Sequence, residues 1–529
     1  MILVNQIRLP LSAGAQQAID VAVRICRVPL QQLAAADIAK ISVDARHGTP
    51  TLVYTVALRL QDEKAELALG IGVKNVTVVQ PQPFVQQRGT AALAQRPVVC
   101  GFGPAGIFAA LLLAQHGFRP IVLERGGCMQ ARTQAVAHFN ATGQLDVQSN
   151  IQFGEGGAGA FSDGKLTTRI HDPLCSFVTD TLLRHGAPAE IAVRQKPHIG
   201  TDMLRGIITS IRQEILSLGG QVLFDTPLTG IKKNAQNRLT AVCTPGAEIP
   251  CSTLLLCVGH SARDTVALLQ SSGVQLAAKP FSVGFRAEHL QTEIDKALYH
   301  SAAGHPALPV GEYQLSQHVG ARCVYTFCMC PGGSVVAGAS EENHLVTNGM
   351  SQHARNGKNA NAAVVVSVSE KDFDGDANKA IAFQRRLEAA AYTAGGGAYV
   401  APAQDMHSFL QGTAGLRPGT VQPTYPRGVT GADLGGLLGS ELADTLRAGL
   451  RAFGRKLPGY TAPNAILTGL ETRTSSPVRM ARTAQYESPN ISGLYPCGEG
   501  AGYAGGIVSA AVDGLKVASA LISRFAPAE

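Results

Sequence analysis

"RPVVCGFGPAGIFAALLLAQHGFRPIVLERG", residues 96–126, reads as a strand, a glycine turn, a helix and a second strand. The apolar run at residues 98–100 enters Gly101-Phe102-Gly103-Pro104-Ala105-Gly106, and a second apolar run, residues 120–123, ends in Glu124. That is the spacing of a dinucleotide-binding βαβ unit. Gly101 permits the tight turn, Gly103 lets backbone reach a pyrophosphate, and Gly106 lets the helix pack close to the strand. The first N–H groups of the helix and its dipole then face the phosphates. Glu124 stands where a carboxylate accepts hydrogen bonds from ribose hydroxyls. It argues against a 2′-phosphate there, although the adjacent Arg125 argues the other way.

The surrounding chain separates FAD from NAD. A second glycine loop follows, "NIQFGEGGAGAFSDGK", residues 150–165, and then a helix and strand, "HIGTDMLRGIITSIRQEILSLGGQVLFDTPLTGIKK", residues 198–233. "RLTAVCT" and "AEIPCS" suggest a short meander, and "TLLLCVGHSARD" is a buried strand turning at Gly259. Near the end, "LYPCGEGAGYAGGIVSAAVDGLKVA", residues 494–518, places a strand before a turn and a small-residue helix after it. This order resembles the glutathione-reductase-type FAD fold. There the acid of the late turn, here Glu499, binds the ribitol chain. Gly498, Gly502, Gly505, Gly506 and Ile507 bring backbone to the isoalloxazine, and the following helix packs on the first Rossmann helix. Gly156, Gly157, Gly159, Ser162, Gly164 and Lys165 of the second loop, together with Val222, complete the expected contacts to one non-covalent FAD.

The expected fold class is α/β: a glutathione-reductase-type Rossmann FAD-binding domain with an inserted α+β substrate domain and a small N-terminal α+β domain. The reading divides the 529 residues into an accessory domain at 1–90, the first part of the FAD domain at 96–280, a substrate cap at 281–460 and the FAD-domain return at 461–529. In the accessory domain, "AQQAIDVAVRICRV" has helical spacing through Ile19, Val23 and Ile25, and two strands alternate as a hairpin around His47-Gly48. "VVQPQPFVQQRGTAALAQRP", residues 78–97, reads as a linker. At 45% hydrophobic residues the chain buries its cores. The net charge of +7 is mild for this length, and no basic run suggests a nucleic-acid tail. No signal peptide or membrane-spanning run is visible, and eleven cysteines without a CxxC pair fit a reduced, cytoplasmic protein. The oligomeric state is left open.

"VVCGFGPAGIFAALLLAQ", "QFGEGGAGAFSDGKL", "KPHIGTD", "CVGHSARDT", "FCMCPGG", "TNGMSQHARN", "ETRTSSPVRM" and "GEGAGYAGGIVSAAVDG" together resemble the bacterial FAD-dependent dehydrogenases of unassigned substrate, over nearly the whole chain. The resemblance implies bound FAD and an N-terminal accessory domain, and no substrate. It also suggests Thr474 and Ser475 at the flavin's edge. A disulfide-reductase CxxxxC is missing after the first βαβ unit, where Cys128 stands alone. The chain has no Trp, which excludes one monooxygenase motif. No second Rossmann fingerprint is visible, so NAD(P)H, as a transient electron donor, would dock without one.

The flavin carries the hard step and the protein tunes it. Three sets of residues are candidates for the protein's share. Cys328 and Cys330 stand on one face of a strand by alternation. They are either buried packing thiols or a reactive pair, in which Cys330 is the better choice because Pro331-Gly332-Gly333 opens space beside it. A direct disulfide between them is unfavourable on an extended strand. His260, after Gly259, is either a general acid–base or a histidine satisfied by Asp264 or backbone. Arg286 shares a face with Glu288, either to bind an anionic substrate or as an ordinary ion pair. His289 and the amides of "TNGMSQHARNGKNANA" complete the polar residues of this region. The function these residues suggest is an FAD-dependent oxidoreductase acting on a small polar or anionic substrate. The alternatives are a flavin-dependent RNA-modifying enzyme and a flavin-binding regulatory or scaffold protein.

Overall fold

The computed structural model describes residues 1–46, 48–69, 73–80 and 84–528. His47 of the expected hairpin turn and Pro81 to Pro83 of the expected linker lie outside them.

The first strands, Ile2–Pro10, Leu33–Asp44, Thr51–Leu60 and Val76–Val78, form an antiparallel sheet in which Ile2–Pro10 lies between Thr51–Leu60 and Val76–Val78. Helix Ala15–Cys26 covers it. Its fully buried stripe is Ala18, Ala22 and Cys26; the expected Ile19 and Val23 are half-buried against the same core, and Ile25 is 39% exposed. Small side chains every four residues let the helix lie close on a sheet face already filled by Ile2, Val4, Tyr54 and Val56. The Leu33–Asp44 strand docks on the rest of the chain through backbone bonds from Ile41 to Val193 (2.7 Å) and from Gln195 to Ile41 (2.9 Å). The described part of the linker is pinned as well. Gln86 donates to Ser523 Oγ at 2.9 Å, and Ala91–Ala92 pairs with Phe525–Ala526.

A five-stranded parallel sheet follows, in the order Leu494–Pro496, Leu254–Leu256, Val98–Cys100, Ile121–Leu123, Gln221–Leu223. Its inner strands are short, unbroken apolar runs, as a sheet covered on both faces requires. Helix Pro104–Gln115 is buried from Ala105 through Ala114, so it is a core helix and not an amphipathic surface one. Two glycines set how closely it packs. A Cβ at Gly106 would stand 1.8 Å from the Gly101 carbonyl oxygen. A Cβ at Gly514, in helix Ile507–Arg524, would stand 2.2 Å from the Ala105 carbonyl oxygen. The expected meander is present as an antiparallel sheet of Gly230–Lys233, Leu239–Cys243 and Glu248–Pro250.

Between these elements a second sheet of seven strands is built around Phe281–Leu290, which is buried along nearly its whole length. Asn359–Val368 and then Arg322–Cys330 lie on one side of it, and Ile466–Glu471 and then Ala401–Asp405 on the other. The chain is therefore still in this sheet beyond residue 460. Helices Ala377–Ala394 and Ser440–Lys456 pack against it. Among the described residues no helix is long and apolar enough to cross a membrane.

Helix propensity alone would favour Ala over Gly at position 514 by about 1 kcal/mol. The backbone contact at 2.2 Å reverses that. Gly514→Ala is expected to lower stability by about 1–3 kcal/mol, read as a lower thermal midpoint. Gly246→Ala, whose Cβ would meet nothing within 4 Å, leaves the midpoint unchanged.

Candidate active site

The turns that follow all five parallel strands open into one cavity of about 1800 Å³, closed on its far side by the seven-stranded sheet. Ligands of open α/β sheets sit at this carboxyl edge. At one end is the 101–106 turn. Among the described residues, nothing accepts a hydrogen bond from the amides of Gly103, Ala105 or Gly106, the first N–H groups of their helix. Gly103 faces Gly157 across the turn, and a Cβ at Gly103 would stand 3.6 Å from Gly157 Cα.

Glu124 does more for the protein than its spacing suggested. Its Oε2 accepts from the Phe102 amide at 2.8 Å, and its Oε1 accepts from the amides of Gly126 (3.0 Å) and Gly154 (2.9 Å). Three of the roughly four bonds a carboxylate accepts thus fasten both glycine loops to the second strand. Arg125 is paired with Asp264 at 2.6 Å and lies over the Phe153 ring.

The 154–164 loop is held from beneath by Arg132, whose side chain is fully buried. Its guanidinium donates to the carbonyls of Asn150 (2.9 Å), Ile151 (2.8 Å), Glu155 (2.6 Å) and Gly157 (2.9 Å). Burial pushes this guanidinium down to about 9, offset by Glu124 and Glu155. Gly154, at φ +114°, has no room for a side chain, because a Cβ would lie 2.5 Å from Arg132 Cδ.

At the other end, Glu499 projects into the cavity without a hydrogen-bond donor among the described residues. Burial pushes it up to about 7, with Lys279 working against that. Gly505 and Gly259 also line the cavity, and a Cβ on either would meet nothing within 4 Å. No protein atom requires glycine there. Free amides at one end, an unpartnered carboxylate at the other and open-sided glycines between them fit an elongated ligand with anionic phosphates and a hydroxyl-bearing chain.

The family match agrees with that fit. Residues 280–474 match the family described as FAD-dependent protein, C-terminal domain-like. An uncharacterized protein of Clostridium beijerinckii is 46% identical over 510 residues, covering 95% of each chain. The chain belongs to this FAD-dependent protein family. FAD is its cofactor. Among solved structures, the L-amino acid deaminase of Proteus vulgaris is similar over 83% of this chain and 96% of its own, at 12% identity and a TM-score of 0.34. CtdE in complex with FAD is similar over 81% and 84%, at 12% identity and a TM-score of 0.32.

Most of the residues expected at the cofactor line the cavity of this FAD-dependent protein. From the first turn these are Gly101, Phe102, Gly103, Pro104 and Ala105, with Glu124 and Arg125 beside them. Gly157, Gly159, Ser162 and Lys165 come from the second loop, Gly259 from the turn after strand Leu254–Leu256, and Thr474 and Ser475 from the segment after strand Ile466–Glu471. Glu499, Gly502, Gly505, Gly506 and Ile507 come from the late turn. Five expected residues do not line it. Gly106 packs on Gly101, and Gly156 faces Ile208, where a Cβ would lie 2.7 Å from Cδ1. Gly164 packs on Gly200, and Gly498 donates to Asp513 at 2.7 Å. Val222 lies in the edge strand, away from the cavity. These glycines serve chain packing, which sequence spacing does not distinguish from ligand approach.

The catalytic candidates need correction. Arg286 is fully buried and does not line the cavity. It is held by Glu471 (2.5 and 2.9 Å), Asn348, Asn361 and the Cys328 carbonyl. Its ion-pair partner is therefore Glu471 on the neighbouring strand, not Glu288, which accepts from Thr424 and Asn359. His289 is buried against the Tyr460 carbonyl. His260 does line the cavity, but burial and the Arg473 and Arg263 guanidiniums push it down to about 3, so it is neutral near pH 7 and a poor base. Its Nδ1 meets Ser261 Oγ at 3.0 Å, and not Asp264. Cys330 is buried and off the cavity, whereas Cys328 lines it.

Two features escaped the sequence reading. One is Arg132, which sits in an otherwise unremarkable polar helix. The other is Glu388, which accepts from Arg263 (2.7 and 2.8 Å), Arg473 (2.8 and 3.0 Å) and Thr472 (2.7 Å), fixing the cavity-lining Arg473. A signal for Glu388 was available, since Gln384 and Glu388 share the buried stripe of their helix with Ala380 and Ala391.

Gly505→Val is expected to leave the thermal midpoint of the FAD-free protein unchanged and to weaken FAD binding at least about tenfold, a loss of about 1.4 kcal/mol. Arg132→Met orphans buried carbonyls at several kcal/mol in total and lowers both the midpoint and FAD uptake. Titration of FAD-free protein with FAD, paired with thermal melts, separates the two.

Proposed function

We propose that the protein is an FAD-dependent oxidoreductase acting on a small polar or anionic substrate, with its cofactor in a glutathione-reductase-type arrangement. The observation that carries this reading is the shared cavity, whose one wall is the pair of glycine turns and whose other wall is the seven-stranded sheet. The parallel strand order, with the first βαβ unit central and the late strand at one edge, supports the arrangement.

Bound FAD supplies two-electron exchange with the substrate. The protein's own residues hold and orient. The amides of Gly103 and Ala105, which line the cavity, would receive the pyrophosphate at the helix N-terminus. Glu124 keeps one acceptor position for the ribose, and Glu499 accepts from the ribitol hydroxyls. Lys279, bonded to Ser475 Oγ at 2.6 Å, places a cation beside Glu499. Glu471 reaches the cavity from the cap side, and burial pushes it up to about 7 against the pull of Arg286. Both Glu471 oxygens accept from Arg286, at 2.5 and 2.9 Å, so a proton taken up by this carboxyl displaces one arm of that pair, and Glu471 is the candidate general acid–base group of the cavity wall. Neutral His260 offers a hydrogen bond to substrate in place of a base.

The rim argues for an anionic substrate. Lys40 of the N-terminal sheet and Arg169 are exposed on the lining, and no carboxylate among the described residues pairs with either. Lys196 beside them is paired with Glu312 at 2.9 Å. The N-terminal sheet thus contributes a cation to the entrance as well as docking there.

Anaerobic mixing of the holoprotein with small anionic and neutral metabolites, followed at the flavin absorbance, tests the reading. At least one anionic compound is expected to reduce or reoxidise the flavin. With that compound, Arg169→Glu is expected to raise KM about tenfold with kcat retained. Glu471→Gln is expected to lower kcat by about 10²–10⁴ with flavin content unchanged. Loss of activity only together with flavin would contradict the role of Glu471.

A further inference from the structure

Strand Arg322–Cys330 does not run straight to its end. Phe327 pairs with Ala363 but Cys330 pairs with Asn361, so three steps on this strand oppose two on its partner. The extra residue makes a β-bulge, a feature that re-aims side chains beside sites. Cys328 takes φ +44°, a left-handed backbone that a non-glycine residue adopts at a cost. Alternation fails with it, because Phe327 and Cys328 are both half-buried while Met329 and Cys330 are both buried. The expectation that an extended strand keeps the two thiols apart therefore falls. The Cys330 thiol donates to the Cys328 carbonyl oxygen at 3.3 Å, so its side chain folds back toward Cys328.

The surroundings favour charge on Cys328. The same Cys328 carbonyl accepts from Arg286 Nη1 at 2.8 Å. The Cys330 thiol first, then Arg286 and Lys165, pull Cys328 down to about 6, against burial and Asp163. Cys330 is pushed up, chiefly by the neighbouring Cys328 and by burial. Cys328 in turn helps to raise Glu499 and Glu471, which places it within electrostatic reach of the late glycine turn.

We propose that Cys328 and Cys330 are a dithiol–disulfide redox pair on the wall of the flavin cavity, with Cys328 as the half-buried, cavity-lining thiol and Cys330 as its buried partner. This rests on the FAD oxidoreductase reading above. In the reductive direction the Cys328–Cys330 sulfur–sulfur bond breaks as two electrons and one proton arrive from reduced FAD. Cys328 leaves as thiolate and Cys330 takes the proton. In the oxidative direction the Cys328 thiolate attacks one sulfur of a small-molecule disulfide and expels a thiolate. Cys330 then closes the ring on Cys328, giving up its proton and releasing the second thiol. A ring closed over one intervening residue is tight, and tight disulfides are readily reduced.

The test uses the FAD-loaded protein. It is treated with iodoacetamide at pH 7, or first with diamide, and then digested for peptide mass spectrometry. Cys328 is expected to be alkylated about tenfold faster than Cys323, which lies on the same strand and cavity wall. Diamide is expected to remove two hydrogens from the peptide holding both cysteines, and to fail to do so in Cys330→Ser. Equal alkylation of Cys328 and Cys323, or no two-hydrogen loss in the wild type, overturns the pair. Because flavin absorbance is read on the same sample, a yellow protein without the disulfide sinks this inference alone.

Discussion

Everything in the cavity depends on how closely helix Ile507–Arg524 approaches the first turn of helix Pro104–Gln115. The two belong to opposite ends of the chain. They meet where Gly514 faces the Ala105 carbonyl and Gly498 faces the Ala105 side chain, at distances that leave no space for a Cβ. That approach brings the early glycine turn and the late Glu499 turn to one edge of the parallel sheet. Linker residues 86–92, running along the late helix, and the pairing of Ala91–Ala92 with Phe525–Ala526 reinforce the same junction.

Buried guanidiniums then fix what the helices bring together. Arg132 has no carboxylate within ion-pair distance among the described residues, so its charge is solvated by backbone carbonyls of the glycine loop it supports. Arg355 ties Asp163 of the same loop to the segment after residue 350. Arg263 and Arg473 converge on Glu388 from the first region and the seven-stranded sheet respectively. Removing one partner of such a buried pair costs about 3–5 kcal/mol, so these contacts hold the cavity wall in one geometry. Desolvating them is expensive, which is why each guanidinium is held by several acceptors.

The sequence was most legible where one residue type had a single physical use. The Gly101 fingerprint, the parallel strands around it and the Glu499 turn follow from local spacing, and residues from each line the cavity. It was least legible where the deciding partner lies far along the chain. Arg286 and Glu288 alternate on one strand, which suggested they would pair, yet Glu471 is nearer across the sheet. Cys330 was favoured over Cys328 because Pro331-Gly332-Gly333 ends its strand, yet a bulge against the partner strand leaves Cys328 on the cavity and Cys330 off it. The fully buried small-residue stripe of helix Ala15–Cys26 was hidden by Ile19 and Val23, larger aliphatic residues that are only half-buried beside it. Glycines needed for packing, such as Gly156 and Gly164, look identical in sequence to those left open beside the cavity, such as Gly505.

The central claim is that one FAD lies, without a covalent bond, between the early and late glycine turns. The most direct measurement is the flavin-to-protein ratio of the purified chain, with the flavin identified after acid release. The account predicts about one equivalent, released intact as FAD, as one site of this size and shape requires. A colourless protein that takes up no added FAD, or flavin that stays attached to the denatured chain, would contradict it.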